Sequence, residues 1–568
     1  MKYEVIGKNN LLNPVETILN NRGIEDIQSF LNVSDKDIIP WHKLRNIDKA
    51  VECLLKHIQN KNKLFVQVDS DFDGISSSVM LINYLRHTFD KPNIQWRLQE
   101  GKQHGVILDT VPEDVDLVII PDAGSNQFKE HRVLAEKGID VIVLDHHEVT
   151  RESSDAVVVN NQCSPDYTNK SLTGAGIVYK FLQALDNHLS VNHADNYLDL
   201  VSMGLIADVA DSRELETRYY MNKGLSKIQN KFLKSLFEKQ SFSTKGVINI
   251  VNTQFYIAPL VNAAVRSGSM QEKIQMMKAF LESNELIYNQ RKEEHEDIFT
   301  ATARLLTNIR ARQNRLRDKG TELISERVKE KNLHENKVLI VNVTDILDKN
   351  LTGLVANRLI DRYKRPILLI RYDKKSNTLS GSARGYNKSP IKDFKEFLSN
   401  TKLFNYCEGH PQAFGVSIDV EKIIEANNLI NEKLKDIEID TEVHDVDFIV
   451  PANQLSPILI EEINDLRDVW GPNVEEPLIA INNLEVNKDE VQIMGSKKNT
   501  LKIVHRGVEY IKFFSSEKEW NSIVEQGERL VLDIVGKCSV NIWKDKKTPQ
   551  IIIEDYDIIK TKKKQLIF

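Results

Sequence analysis

The chain has 568 residues, a length that suggests roughly three or four domains. Hydrophobic residues make up 41% of it and charged residues 28%, as in soluble globular proteins, and a net charge of −6 excludes a chain that is basic throughout. The four cysteines are far apart, which excludes cysteine-rich zinc fingers and indicates a reducing compartment. No apolar run approaches the roughly 18 residues of a membrane span, and the pattern of the first residues, without an apolar core, does not predict a secretory leader. We therefore expect a cytoplasmic protein without a membrane partner.

Residue periodicity divides the chain into six segments. In order, they are a helical segment (1–60), an α/β segment (61–268), a helical connector (269–335), a second α/β segment (336–420), a helical linker (421–470) and a strand-rich segment (471–568). Alternation of strands and helices in the second segment is the rhythm of crossover units in a parallel sheet. The connector lacks proline and is rich in charged helix-forming residues, so it predicts one or two long helices. The five or six short strands of the last segment predict a small barrel of the OB type.

Three apolar runs of the first α/β segment end abruptly in acidic or imidazole side chains. Residues 141–144 run into Asp145, His146 and His147, while residues 64–68 and 117–120 run into further aspartates. Because open α/β sheets bind ligands at the carboxyl ends of their strands, these side chains are expected to gather in one place. Several like charges placed together are costly unless a cation lies among them. The pattern therefore predicts a metal site.

The candidate ligands are carboxylates and imidazoles, without thiolates. They are Asp69, Asp71, Asp73, Asp122, His146 and Asp208. This donor set suits Mn²⁺ or Mg²⁺, with Mn²⁺ favoured by the histidines. The set is larger than one ion needs, so we expect two ions about 3.5 to 4 Å apart, an arrangement that activates water for attack on phosphorus.

Each residue also has a structural interpretation. A single aspartate after a strand is usually a helix cap or a turn former, and adjacent histidines on a loop are commonly solvated. The joint occurrence of DxDxDG, PDAG, DHH and IAD at the ends of elements in one α/β segment favours the metal site over these interpretations.

These four motifs resemble those of the DHH phosphoesterase superfamily, and further stretches resemble its RecJ type of single-strand-specific exonuclease. The further stretches are SLTGAG at 171–176, PLVNAAVR at 259–266, SGSAR at 380–384, EGH at 408–410 with Phe414-Gly415, and the Trp470-led break before the barrel. The resemblance covers nearly the whole chain in the family's order. It implies an α/β protein with two lobes, a DHH parallel-sheet domain and a DHHA1 domain, joined by a long helix and followed by a carboxy-terminal all-β OB-fold barrel.

The resemblance also assigns roles to individual residues. The catalytic set would be Asp71, Asp73, Asp122, His146, His147 and Asp208, with Asp69 completing the coordination of one metal and Asp145 orienting the histidines. Phosphates of the strand would be held by Arg97, Arg266, Ser382, Arg384 and His410.

Three positions depart from the family pattern. Gln67 stands where superfamily relatives often carry histidine, and Leu260 and Val265 replace an arginine and a glycine. One phosphate contact is therefore expected to be missing, with no effect on the metals.

For two other groups of residues, a purely structural role competes with nucleic-acid binding. Basic residues of the connector either track a phosphate backbone or form a solvated helix face: Arg304, Arg310, Arg312, Arg315, Arg317 and Lys319. Phe513, Phe514 and Trp543 of the barrel either stack bases or, as we favour here, lie in its core.

The leading functional hypothesis is a metal-dependent exonuclease that degrades single-stranded DNA processively from the 5′ end to mononucleotides in recombination and repair. One alternative is a phosphodiesterase for short oligonucleotides or cyclic dinucleotides. Another is a non-catalytic scaffold in replication. A single-strand-binding protein and a helicase are partners at the level of the family, and we expect a monomer.

Overall fold

The computed structural model describes residues 1–99, 104–386, 388–437, 443–495, 498–525, 529–544 and 546–559. The chain divides into two compact units. The central unit comprises Gln28–Asn314 and Asp468–Glu475, and the flanking unit comprises Met1–Ile27, Arg315–Arg467 and Glu476–Phe568.

The central unit is built on a five-stranded parallel sheet. In spatial order its strands are Ile94–Leu98, Leu64–Val68, Leu117–Pro121, Asp140–Asp145 and Val157–Asn160. The three middle strands are buried, and apolar clusters pack on both faces, which explains their continuous apolar runs. The parallel sheet predicted for this part of the chain is confirmed.

Helices surround this sheet. They are Ile47–Gln59, Phe72–Thr88, Phe128–Glu136, Gly174–Leu189, Leu198–Ala207, Leu215–Ser226, Lys231–Thr244, Ile250–Asn252, Ala258–Ser267 and Met270–Phe280, with a π-helix at Thr253–Ile257. The helices that begin at Phe72 and Gly174 follow strand ends, and their amino termini come to lie beside the predicted metal ligands.

The predicted helical connector differs from the structure in its first part. An antiparallel hairpin, Leu286–Asn289 with Glu294–Asp297, precedes the helix Ile298–Glu330. The hairpin turn contains no glycine or proline, and Glu293 adopts the left-handed conformation with φ 56°. The sequence therefore carries no turn signal at this position. The helix of 33 residues is about 50 Å long, and the boundary between the two units falls within it.

The basic residues of this helix are mostly paired with protein groups. Arg304 contacts Glu296, Arg312 contacts Glu272 and Arg317 contacts Asp318. The solvated, salt-bridged helix face is thus the better interpretation for these three residues.

The flanking unit contains a second α/β domain. Its mixed sheet has the strand order Phe404–His410, Ala413–Asp419, Thr378–Arg384, Ile367–Asp373 and Leu339–Asn342. The helices Thr352–Tyr363, Phe394–Ser399 and Ile423–Lys433 belong to the same domain, and two apolar clusters fill it.

The carboxy-terminal part is a seven-stranded sheet. Its strands follow the order Phe448–Pro451, Ile479–Asn487, Arg529–Trp543, Lys546–Ile558, Val508–Phe513, Thr500–His505 and Val491–Met494, and the helices Pro457–Asp465 and Glu517–Val524 accompany it. The strand Arg529–Trp543 has 15 residues, and a register shift between Val535 and Gly536 lets it bend without ending.

Two segments predicted to be helical contain strands. Lys2–Val5, in the amino-terminal segment, pairs in parallel with Val443–Val446, in the predicted linker, and Phe448–Pro451 of the linker is an edge strand of the large sheet. Strands of four residues are too short to show a clear alternation, so the sequence pattern did not reveal them.

The aromatic residues of the carboxy-terminal sheet correct another expectation. Phe513 is 53% exposed and Phe514 is 90% exposed, so the prediction that they lie in a core was wrong. The side chain of Trp543 lies outside the described residues. The free cysteines are Cys53, Cys163, Cys407 and Cys538. No described helix has the length and apolar character needed to cross a membrane.

Candidate metal centre

The predicted ligands converge at one edge of the central sheet. The strands Leu64–Val68, Leu117–Pro121 and Asp140–Asp145 are neighbours with parallel direction, so their carboxyl ends bring the three aspartate and histidine motifs together. The fourth contribution comes from Asp208, which follows the buried helix Leu198–Ala207. The four motifs thus meet in three dimensions, as the sequence predicted.

Asp71 and Asp73 stand at the start of a helix. Asp71 is the N-cap of Phe72–Thr88 and accepts a hydrogen bond of 3.0 Å from the backbone N–H of Gly74. The Asp73 carboxylate is 1% exposed and accepts hydrogen bonds from the N–H groups of Gly174 and Ala175 at 2.8 and 3.0 Å, and from the hydroxyl of Thr173 at 3.0 Å. A helix amino terminus therefore fixes the orientation of Asp73. Burial nevertheless raises the pKa of Asp73, although the interaction with His146 acts to lower it.

Asp122 is the most strained and least compensated group of the site. It adopts the left-handed conformation with φ 64° immediately after its strand, and it is 2% exposed. Its Oδ1 atom has no hydrogen-bond partner among the described residues, although His146 Nε2 lies 3.2 Å away. Burial, together with the charges of Asp73 and Asp71, raises the pKa of Asp122 well above its usual range.

Asp145 positions the two histidines. Its Oδ1 atom accepts hydrogen bonds from the backbone N–H of His146 at 2.7 Å and from the backbone N–H and Nδ1 of His147 at 3.2 and 2.7 Å, while Ser125 N–H donates to Oδ2 at 3.0 Å. Burial opposes the charge of Asp145, yet these hydrogen bonds hold its pKa well below the usual range. The same contact raises the pKa of His147 to about 9. Asp145 thus holds the His147 ring and the backbone of both histidines.

His146 and Asp208 complete the cluster. His146 Nε2 lies 3.9 Å from Asp73 Oδ2 and 3.7 Å from Asp208 Oδ2, and burial lowers the pKa of His146. Desolvation and the charges of Asp73 and Asp71 raise the pKa of Asp208 to about 8. A neutral imidazole with its Nε2 aimed at three carboxylates is the form of histidine that binds metal ions.

The donor set fits divalent cations. Three overlapping groups have ligand atoms within 4.8 Å of one another: Asp73, His146 and Asp208; Asp69, Asp71 and Asp122; and Asp122, Asp145, His146 and His147. Burial, and after it the charges of the neighbouring aspartates, raises the pKa of Asp73, Asp122 and Asp208. These buried carboxylates and the unsatisfied Oδ1 of Asp122 need positive charge at this edge of the sheet, which a divalent cation would supply.

Sequence reasoning missed one histidine of the site. His104 Nδ1 lies 2.8 Å from Asp69 Oδ2, and the backbone N–H of Gly105 donates to Asp69 Oδ1 at 3.2 Å. Asp69 is therefore held by protein groups on both oxygens. A histidine six residues after the strand Ile94–Leu98 gave a weak signal, because no motif linked it to Asp69.

Two glycines provide the space that the carboxylates occupy. A Cβ atom on Gly174 would overlap the Asp122 carboxylate, and a Cβ on Gly204 would overlap Asp73 Oδ1. In contrast, the atoms nearest to a Cβ on Gly176, in the same helix as Gly174, belong to the buried side chain of Leu172 and not to a carboxylate.

Replacing Gly174 by alanine is therefore expected to lower the activity of this centre by about 100-fold, since displacing a reacting group by about 1 Å has an effect of this size. Gly176→Ala is the matched control, and we expect a stability loss of about 1 to 3 kcal/mol with most activity retained. Initial rates and thermal unfolding distinguish the two. Equal losses of activity in both variants would contradict the role of Gly174 as space for Asp122.

Two of the predicted phosphate-binding arginines belong to the central unit. Arg97 is exposed on an edge strand, and Arg266 ends the helix Ala258–Ser267. Desolvation lowers the pKa of Arg266, and the charge of Asp71 partly opposes this. Leu260 and Val265 are buried in the apolar core, so these two departures from the family pattern add no polar group to the site.

Gln67 is also buried. Its side-chain amide donates a hydrogen bond of 3.1 Å to the backbone carbonyl of Arg97, so Gln67 links two neighbouring strands.

The other predicted phosphate-binding residues belong to the flanking unit. Ser382 and Arg384 lie on the strand Thr378–Arg384, and His410 is exposed at the end of Phe404–His410. The Ser382 hydroxyl lies 2.8 Å from that of Thr352, and a Cβ on Gly353 would approach the Arg384 guanidinium. A guanidinium, a hydroxyl and the amino terminus of the helix Thr352–Tyr363 thus come together, which is a suitable arrangement for an anion.

Family models match two parts of this chain. Residues 63–205 match the DHH family, N-terminal domain, and residues 446–555 match the RecJ OB domain. The chain is 51% identical over 576 residues to a Bacillus subtilis (strain 168) protein provisionally named as the SPbeta prophage-derived single-strand DNA-specific exonuclease YorK, and the alignment covers 100% of both chains. It is 25% identical over 569 residues to the single-stranded-DNA-specific exonuclease RecJ of the same organism, which covers 95% of this chain and 67% of that protein.

Solved structures share the fold. The crystal structure of RecJ from Thermus thermophilus in complex with Mn²⁺ matches with a TM-score of 0.73 and 19% identity, over 98% of this chain and 79% of that chain. The Mg²⁺ complex of the same protein matches with a TM-score of 0.68 and 18% identity, over 98% and 78%. The predicted combination of α/β domains with a carboxy-terminal OB domain is confirmed.

Proposed function

The chain belongs to the RecJ family of single-strand DNA-specific exonucleases, and we propose that it hydrolyses single-stranded DNA processively from the 5′ end, releasing mononucleotides. The observation that carries this proposal is the convergence of buried carboxylates and a neutral histidine at one edge of the central sheet, with Asp122 Oδ1 left unsatisfied among the described residues. Such a centre is suited to hydrolysis of a phosphodiester.

We propose that two divalent ions, Mn²⁺ or Mg²⁺, bind this cluster. Asp69, Asp71 and Asp122 would hold one, and Asp73, His146 and Asp208 the other, with Asp122 close enough to His146 to serve both. When bound, such ions generate a nucleophilic hydroxide at neutral pH and stabilise the charge of the leaving oxygen. Asp145 keeps the His147 imidazole and the His146 backbone in place, and the exposed His147 is available for a phosphate oxygen.

Substrate binding is assigned to cationic and aromatic groups. Arg97, Arg266, Ser382, Arg384 and His410 would hold strand phosphates, since a guanidinium binds two phosphate oxygens at once. In the OB domain, exposed Phe513 and Phe514 are available for base stacking, worth about 1 to 3 kcal/mol per base.

The test is digestion of DNA strands labelled separately at each end. We expect release of the 5′ label first, from single strands and not from duplexes, in Mn²⁺ or Mg²⁺ and not in chelator. A bulky block at the 5′ end should stop digestion, whereas the same block at the 3′ end should not. Release of the 3′ label first would contradict the direction, and faster turnover of a dinucleotide than of a long strand would favour the phosphodiesterase. Absence of any metal-dependent release would indicate the non-catalytic scaffold.

We further propose a role in recombination and repair in the cytoplasm, where free thiols such as Cys53 are maintained. A single-strand-binding protein and a helicase are the partners expected from the family, and a monomer is the expected state.

A further inference from the structure

A second candidate binding site adjoins the loop that follows His147. It is a cavity of about 240 Å³ in the central unit, and its lining includes Arg45, Lys49, Arg151, Glu152 and Cys163. We call it the arginine pocket. None of these residues belongs to the metal cluster or to the predicted phosphate contacts.

The arginine pocket has an excess of positive charge. Its three cations face one carboxylate, Glu152, which pairs with Arg45 at 2.7 Å. Arg151 stacks on the ring of Phe128 with 4.2 Å from its guanidinium carbon to the ring centre. Within the described ranges, neither Arg151 nor Lys49 has an anionic partner or a hydrogen-bond acceptor. Two cationic groups thus line a concave surface with their donors unused, in a protein whose net charge is negative.

The stacking of Arg151 also limits its freedom. A guanidinium that contacts an aromatic ring through its carbon keeps N–H donors available while losing less entropy on binding an anion. The geometry therefore favours a ligand that accepts several hydrogen bonds at one point, which is the property of a phosphate.

Hydrogen bonds connect the arginine pocket to the metal centre. The side chains of Asn160 and Gln162 donate to the backbone carbonyls of His147 and His146, at 3.0 and 3.1 Å. On the other side of the same segment, Arg45 donates from its backbone N–H to Ser164 Oγ at 3.0 Å and from its side chain to the Cys163 carbonyl at 3.4 Å. One short segment, residues 160–164, is thus bonded both to the pocket and to the histidine pair.

We propose that the arginine pocket binds the phosphate of a nucleotide at a site separate from the metal centre. The volume is just below the range of about 300 to 1,000 Å³ that is usual for whole small-molecule ligands, so the pocket admits a phosphate with its sugar. The phosphate belongs either to a released mononucleotide or to the backbone of the strand. Only this choice of ligand rests on the proposed function, because the charge and shape of the pocket do not depend on catalysis.

The test uses the full chain in chelator, so that metal ions do not anchor phosphate at the metal centre and a failure of nuclease activity does not affect the result. Calorimetry measures binding of inorganic phosphate, 5′-dAMP and a four-nucleotide strand with a 5′-hydroxyl. Hydrogen exchange of residues 146–164 locates the ligand. Lys49→Ala/Arg151→Ala removes the two unpaired cations, and Lys129→Ala/Lys137→Ala removes the same charge from positions outside the pocket.

We expect the wild type and the control to bind and to show slower exchange in residues 146–164. The pocket variant should bind about 100-fold more weakly, since each lost charge-assisted hydrogen bond contributes about tenfold. Saturation by 5′-dAMP identifies a mononucleotide as the source, and binding of the four-nucleotide strand alone identifies the backbone. Equal affinity in the pocket variant, or protection confined to other segments, would overturn the proposal.

Discussion

Asp122→Asn is expected to lower the rate of single-strand hydrolysis by about 1,000-fold or more, because it removes the charge of a ligand shared by both proposed ions. Asparagine tolerates the left-handed conformation that residue 122 adopts, so the backbone should not change. Asp122→Ala is a less clean variant, since alanine is strained at φ 64°.

The same substitution should raise the thermal stability of the metal-free protein. A buried carboxylate that is repelled by Asp73 and Asp71 is replaced by a neutral amide of the same shape. Asp166→Asn, at an exposed carboxylate of the central unit, is the control and should change neither property. Binding of single-stranded DNA should persist in Asp122→Asn. Full activity in this variant would refute the assignment of the site.

Adding Mn²⁺ to the chelated protein is expected to restore activity and to raise the free energy of unfolding of the central unit. The gain is about 2.7 kcal/mol when the free metal concentration is 100 times its dissociation constant. Thermal unfolding with and without Mn²⁺ measures it, with Asp122→Asn as the variant in which the shift should be much smaller. A shift of equal size in both proteins would show that the metal binds elsewhere.

Metal binding should also release protons near pH 7.5. The pKa of Asp208 is about 8, so this group is largely protonated there, and a cation displaces its proton. Because lower pH adds protons that compete with the metal, the apparent affinity for Mn²⁺ should fall as the pH decreases from 8 to 6. Calorimetry in buffers of different ionisation enthalpy measures the released protons.

The ligands of the metal centre could be predicted from the sequence because parallel strands share one edge of a sheet. Apolar runs ending at Asp69, Asp122 and Asp145 necessarily bring these residues together once the strands are neighbours. The hydrogen bonds that hold these ligands in place are harder to predict from the sequence. The bonds from Gly174 and Ala175 to Asp73 join residues about 100 positions apart, and no local pattern encodes such a contact.

The secondary structure, too, could be predicted only in part from the sequence. The parallel sheet was predicted, since apolar strands alternating with helices have a distinct pattern. The hairpin Leu286–Asn289 with Glu294–Asp297 was missed, because its turn uses glutamate where glycine or asparagine is usual. Phe513 and Phe514 were assigned to a core on composition alone, and composition does not tell on which face of a strand a ring lies.

The pairing of Lys2–Val5 with Val443–Val446 has a consequence for the order of biosynthesis. The ribosome adds about 5 to 20 residues per second, so the first strand of the chain waits about 20 to 90 s for its partner to be translated. During this interval most of the parallel-sheet region has already emerged and can fold as a unit. The amino-terminal strand is thus among the first segments to be made and among the last to be paired.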